Sequence, residues 1–214
     1  MKYGNIPSGH IIIPWLSDPR FLEAYGKISA RSLLHIGKCY MLYSLVRHLA
    51  DVPGDVAECG VYKGGSAYII ASVRDSAKRL FLLDTFTGLP PGDPNKDNRY
   101  VAGGEFSETS DLEVARLMSE FGNVEIRKGL IPGTLEGMSG NVFSIVHIDL
   151  DIYSPILESL RFFYPKMSHG GVIVLDDYGS EECRGAYLAV EEFCGNLGRP
   201  PIVLSTGQAM IMCH

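Results

Sequence analysis

Apolar residues along this chain fall into two recurring patterns: short unbroken runs of strand length, and longer stretches with apolar positions three and four apart. Residues 28 to 50, "ISARSLLHIGKCYMLYSLVRHLA", have the helical spacing, after an irregular first stretch holding Pro7, Pro14 and Pro19. "VPGD" breaks the chain, "VAECG" reads as a strand, "GGSAYIIASVRDSA" opens a helix on small residues, and "RLFLLD" is the next strand. A loop rich in Gly, Pro, Asn and Asp runs from Thr85 to about Ser110, long enough to suggest a lid or binding loop. The alternation then resumes: "DLEVARLMSEFG" as a helix closed by Gly122, "VEIRKG" and "FSIVHID" as strands, "SPILESLRFFYPKM" as a helix entered at Ser154, "GGVIVLDD" as a strand. "EECRGAYLAVEEFCGNLG" is a helix ending on Gly198, and "PIVLST" and "AMIMCH" form a terminal antiparallel strand pair. Such alternation predicts an α/β fold, a mostly parallel sheet with helices on both faces.

Composition narrows the class. With 214 residues, 46% of them hydrophobic, the chain can bury one good core, and reads as one domain over 1–214 with 1–50 as an N-terminal helical cap. A net charge of -6 argues against nucleic acid or an anionic membrane surface as partner. No apolar run approaches the ~18 residues of a membrane span, and the first fifteen residues show no signal-peptide pattern. Cys39, Cys59, Cys183, Cys194 and Cys213 are scattered without a C-x-x-C, which suits reduced thiols in a cytoplasm. The six histidines contain no H-x-x-x-H, so zinc is not expected.

Chemistry concentrates where two strands end. "VHIDLDIYSP" places Asp149 and Asp151 after one apolar run, and "VIVLDDYG" places Asp176 and Asp177 after another. Runs of this kind are parallel strands covered on both faces, and open α/β sheets bind ligands just beyond their carboxyl ends. In extended geometry Asp149 and Asp151 share one face, with Leu150 turned away. A bland alternative is that these acids only cap turns or helices, Asp177 that of the following helix.

The first strand end carries a second signal, "VAECGVYKGGSAYII". Gly60, Gly64 and Gly65 let a ligand approach the backbone and leave helix N–H groups free to meet it. Neither a Walker A lysine nor a G-x-G-x-x-G is present; the match is to acidic-x-Gly-x-x-x-Gly, a nucleoside-binding loop of S-adenosylmethionine enzymes. Asp84 ends the next strand 24 residues after Gly60, close to the ~20-residue interval at which a carboxylate accepts from ribose hydroxyls.

Taken in order, "GDVAECGVYKGGS", "LLDTFTGLP", "RKGLIPGTL", "HIDLDIYSP" and "GGVIVLDDYG" followed by "CRGA" resemble the macrocin O-methyltransferase (TylF-like) family over roughly residues 50 to 205. The resemblance implies a class I methyltransferase Rossmann-like fold, S-adenosylmethionine as methyl donor, a magnesium ion, and sugar hydroxyls of natural products as acceptors. It implies Asp149, Asp176 and Asp177 as metal ligands and Asp151 as catalytic base. Glu58, the turn through Gly60, Tyr62, Gly64, Gly65 and Ser66, and Asp84 are then the cofactor's contacts, with Ser32 near another from the N-terminal helix.

The residues support that chemistry independently. A divalent cation held by carboxylates lowers the pKa of a bound hydroxyl and fixes its oxygen, and a ligand set without Cys or His favours magnesium, with manganese or calcium as alternatives. A further carboxylate can then take the proton. The alternatives are a nucleotide-sugar glycosyltransferase, since Asp-x-Asp also binds metal and diphosphate, and a non-catalytic cofactor-binding protein on the same fold. Among lesser candidates, His147 reads as a hydrogen-bonded core histidine, Tyr153 and Tyr178 as cleft or packing residues, and Arg184 as a neutraliser of nearby acids. Trp15 and the "HIIIPW" run suit a cover over the substrate or a subunit contact in a homo-oligomer.

Overall fold

The computed structural model describes residues 14–214; the expectations for the chain start and for His10–Ile13 lie outside them. A turn of 3-10 helix (Pro14–Ser17) leads into helix α1 (Pro19–Ile28). This helix stands where the sequence reads as irregular, yet it carries ordinary start signals. Asp18 accepts from the Phe21 N–H at 3.1 Å, and Pro19 fills the first helical position, where a missing N–H is harmless. Trp15 packs on Tyr40, ring centroids 5.9 Å apart.

One continuous helix over 28–50 is not what forms. The chain breaks at Ser29–His35 before α2 (Ile36–His48), whose start is capped by His35 Nδ1 accepting from the Gly37 N–H at 3.1 Å. The remaining elements are β1 (Asp55–Cys59), α3 (Gly65–Val73), β2 (Leu80–Asp84), α4 (Asp111–Met118), β3 (Val124–Lys128), β4 (Phe143–Ile148), α5 (Tyr153–Phe163), β5 (Met167–Leu175), α6 (Arg184–Leu197), β6 (Ile202–Val203) and β7 (Ala209–Met212). Helix α4 stops short of Gly122, and β5 starts upstream of Gly170 and ends before Asp176.

The strands form one seven-stranded sheet in the order β3-β2-β1-β4-β5-β7-β6. The first five are parallel, and β7 runs antiparallel between β5 and β6. Strand alternation divides the core in two. Ala57, Cys59, Phe81, Leu83, Val146, Ile148 and Ile173 meet α5 and α6 on one face. Val56, Leu80, Leu82, Ile145, Val172 and Val174 meet α1 to α4 on the other. All five cysteines are free and buried, and among the described residues no helix is long and apolar enough to cross a membrane.

Candidate active site

Strand order reverses between β1 and β4, so the helices that follow them leave opposite faces and a crevice opens at their carboxyl ends. The ladder runs one residue past each strand. Gly60 N–H bonds Leu83 O at 2.9 Å, Asp149 N–H bonds Cys59 O at 2.8 Å, and Asp176 N–H bonds Ile148 O at 2.9 Å. Gly60 (φ +88°) admits no side chain, because a Cβ there would lie 1.7 Å from the Asp149 carbonyl oxygen. Above this edge lies a cavity of about 580 Å³, within the range of small-molecule sites.

One side of the cavity is backbone held by side chains. Gly60, Tyr62, Gly65, Ser66 and Asp84 line it, as does Ser32 from the break before α2. Gly65 has no room for a Cβ, which would fall 2.5 Å from that of Ser32, so the N-terminal segment closes directly onto the start of α3. The first N–H groups of α3 have no partner within the helix, and Gly65 and Ser66 line the cavity there. Asp84 accepts from the Val61 and Tyr62 N–H groups at 2.7 and 2.8 Å through Oδ2, and from the Phe86 N–H at 2.6 Å through Oδ1. Two backbone donors fill Oδ2, so the acceptor capacity left toward the cavity is that of Oδ1. Glu58 and Gly64 do not line the cavity. Glu58 is wholly buried beneath it, 2.9 Å from His147 Nδ1, and Gly64 faces Val114 and Leu117.

The other side is acidic. Asp149, Asp151, Asp176 and Asp177 all line the cavity. The shared extended face expected for Asp149 and Asp151 does not form, because β4 ends at Ile148 and Asp151 adopts φ +60°, a left-handed conformation that Asp tolerates. Leu150 lines the cavity too instead of turning away. Ligand atoms of Asp149 and Asp176, with a nitrogen of His147, lie within 4.8 Å of one another, and so do those of Asp151, Asp177 and Cys183. Burial, and then Asp176, Asp177 and Asp151, push the Asp149 carboxyl well above the usual range. Asp177 is raised by burial and by Asp176, and its buried Oδ2 has no hydrogen-bond partner. Asp151 is pushed up to about 7 by burial and Asp177, against the Cys183 thiol donating to it at 3.5 Å.

Asp176 behaves differently. Burial works to raise it, but His147 and Lys38 outweigh burial and hold it below the usual value. Lys38 Nζ donates to its Oδ2 at 2.5 Å and Gln208 Nε2 to its Oδ1 at 2.8 Å. His147 Nε2 stands 3.5 Å from Oδ1, an ion-pair distance without hydrogen-bond geometry. The imidazole, wholly buried, is nonetheless lifted to about 9: burial opposes its charge, and Asp176 and Glu58 overcome that. Four crowded carboxyls, three of them raised, with hard oxygen donors and an orphaned buried acceptor, fit a divalent cation.

Sequence reasoning missed Lys38, Gln208 and the anchoring of the long loop. Asp97 of that loop is buried, accepts from the Tyr153 N–H at 2.9 Å and so caps α5 in place of Ser154; Asn98 accepts from the Arg184 N–H at 3.1 Å at the start of α6. Pro90, Pro91, Asp93 and Asp97 form the cavity wall there. Tyr153 and Tyr178 bond Glu192 and Glu191 and are not part of the lining, and Arg184 reaches the Asn95 carbonyl, not the acids.

A sheet of this order, with a glycine turn after β1 and acids after β2, β4 and β5, defines a class I methyltransferase. The chain belongs to the macrocin O-methyltransferase (TylF) family, whose profile matches residues 21–196, and it is an S-adenosylmethionine-dependent O-methyltransferase. It is 28% identical over 197 residues to the 8-demethyl-8-(2,3-dimethoxy-alpha-L-rhamnosyl)-tetracenomycin-C 4'-O-methyltransferase of Streptomyces olivaceus, covering 85% of this chain and 74% of that protein. It is also 28% identical over 152 residues to the mycinamicin III 3''-O-methyltransferase of Micromonospora griseorubida, covering 63% of this chain and 59% of that protein. Among solved structures, the O-methyltransferase NovP shares the fold with a TM-score of 0.74 at 20% identity, over 86% of this chain and 82% of that one. The glycosyltransferase and non-catalytic readings fall away.

Proposed function

We propose that the protein methylates a hydroxyl of a sugar carried on a small natural product, with magnesium held by Asp149, Asp176 and Asp177. The acceptor class follows the two relatives, one named for the 4'-O position of a rhamnosyl-tetracenomycin and the other for the 3''-O position of mycinamicin III. The observation that carries the metal reading is the convergence of four carboxylates on one cavity beside the glycine turn. When bound, magnesium supplies Lewis acidity that brings a sugar hydroxyl's proton within reach of a carboxylate base. Asp151, poised near neutrality, takes that proton as the methyl group passes to oxygen and S-adenosylhomocysteine is left. The Gly60–Ser66 turn and Asp84 hold the nucleoside and amino-acid ends of the donor. Glu58 acts from below through His147, whose other nitrogen faces Asp176.

The test is release of S-adenosylhomocysteine against a panel of deoxysugar glycosides, with and without chelator. Turnover on a glycoside, abolished by chelation and restored by magnesium, is the expected result. Full activity in chelator overturns the metal assignment, and turnover confined to non-sugar phenols overturns the acceptor class.

A further inference from the structure

The acid cluster contains a cation of the chain's own. Lys38 comes from α2, on the far side of the glycine turn in sequence, and its Nζ contacts Asp176 Oδ2 at 2.5 Å, the Asp176 carbonyl oxygen at 3.1 Å and Asp177 Oδ1 at 4.0 Å. Its side chain is only 20% exposed, and it lines the cavity. Among the described residues no other lysine or arginine pairs with any of the four acids. The methyl-transfer chemistry described above makes no use of it.

We infer that Lys38 is an internal counter-ion that competes with the divalent cation for Asp176 and so sets the metal concentration at which the site fills. The inference rests on the magnesium reading of the four acids. Asp176 already accepts from the Gln208 amide on Oδ1 and from the ammonium on Oδ2. A second cation at Oδ2 meets the charge of the first. Asp149, Asp151 and Asp177 lack such a partner at hydrogen-bond distance, so they are free to attract a cation while Asp176 is already matched. Lysine suits the role: its ammonium is compact and its stem flexible, so it can yield an oxygen without moving α2. Without metal, the same contact relieves the repulsion among four carboxyls and ties the N-terminal segment to the end of β5.

Magnesium titration of the metal-free protein by calorimetry, paired with its thermal denaturation, tests this without any turnover. Lys38→Met keeps the stem and removes the charge; it is expected to bind magnesium at least about tenfold more tightly and to melt lower without metal, since a unit charge within about 4 Å of a divalent ion opposes it by more than that factor even in water. Lys38→Arg keeps the competing charge, and because the inference turns on that charge it is expected to stay within about threefold of the parent affinity. Should Lys38→Met not fold, Lys38→Gln makes the same comparison with a hydrogen-bond donor retained. Equal or weaker magnesium binding in the charge-free variant, with the parent titrating normally, overturns the inference and leaves the metal reading standing. If neither binds magnesium while both bind S-adenosylhomocysteine, the metal reading has failed and the inference with it.

Discussion

Asp84, the last residue of β2, and Asp177, two residues past the end of β5, lie on opposite sides of one cavity, and their surroundings differ in kind. Asp84 gives its oxygens to three backbone N–H groups, which fixes the turn before any ligand arrives. Asp177 keeps a buried oxygen with no partner and sits among carboxyls that raise one another. The glycine-turn side is therefore built by hydrogen bonds that exist in the folded chain, and the acid side by carboxyls that repel one another. Preorganised backbone costs nothing at the moment of reaction, whereas crowded carboxyls are tolerable in the folded state only while partly protonated or neutralised.

The largest expected effect lies on the acid side. Asp151→Asn keeps size and most hydrogen bonding but cannot accept the proton, so kcat is expected to fall by about 10²–10⁴-fold while magnesium affinity persists. Asp149→Ala should instead lose metal affinity and recover part of its rate at high magnesium. Steady-state kinetics across magnesium concentrations separate the two. If excess metal rescues Asp151→Asn, the base and ligand roles are exchanged or shared.

On the cofactor side, Asp84→Ala should weaken S-adenosylhomocysteine binding by about 1–3 kcal/mol, through lost ribose acceptors and through three backbone donors set loose. Calorimetry gives the affinity and thermal denaturation the loosened turn. Unchanged affinity with a lowered Tm would leave Asp84 as a brace for the turn and assign the ribose elsewhere.

A third expectation concerns pH. Asp149, Asp151 and Asp177 are raised in the folded chain, so it holds their protons more tightly than the unfolded chain does. The stability they contribute is fully present below the ordinary carboxylate value of 3.8 and is lost as pH rises through their raised folded-state values, for Asp151 about 7. Metal-free protein should therefore melt lower as pH climbs across that window, and magnesium should restore the loss at its upper end. Binding should also release protons, since the ligands must be ionised. Melting curves at several pH values with and without magnesium, with calorimetry in buffers of different ionisation enthalpy, check both. A flat profile without metal would mean the acids are already neutralised.

The same contrast governs what the sequence made legible. Runs such as "FSIVHI" and "VIVL" announce buried parallel strands, and acids at their ends stand out because carboxylates seldom follow such runs without a task. The glycine turn is equally visible, since Gly60 answers a local need: the approach of the Asp149 carbonyl. The break at Ser29–His35 was hidden, having no Gly or Pro to mark it; it exists so that Ser32 can lie against Gly65, a contact between distant segments. Lys38 was hidden for a related reason. On an amphipathic helix a lone lysine reads as solvated, and only the folded chain brings it to Asp176. Asp97, which caps α5 from a loop 56 residues upstream, is of the same kind.

The smallest expected effect marks where the cofactor side ends. Glu58 belongs to the glycine-turn sequence but has no exposed atom, and its one side-chain hydrogen bond is to His147, whose other nitrogen faces Asp176. It thus sits on the boundary between the two halves, joining the strand of the turn to a strand-end acid. If it acts only through His147, Glu58→Gln should leave S-adenosylhomocysteine affinity within about threefold, under ~1 kcal/mol. Its effect should appear in the pH dependence of stability. His147 is raised to about 9, burial opposing and Asp176 and Glu58 prevailing, so its contribution is present below 6.5 and lost as pH rises through about 9. Removing the Glu58 charge lowers that folded-state value and narrows the window, so the variant should melt lower than the parent near neutrality and converge with it in alkali. A loss of cofactor affinity as large as that of Asp84→Ala would instead place Glu58 in contact with the donor and move the boundary one strand over.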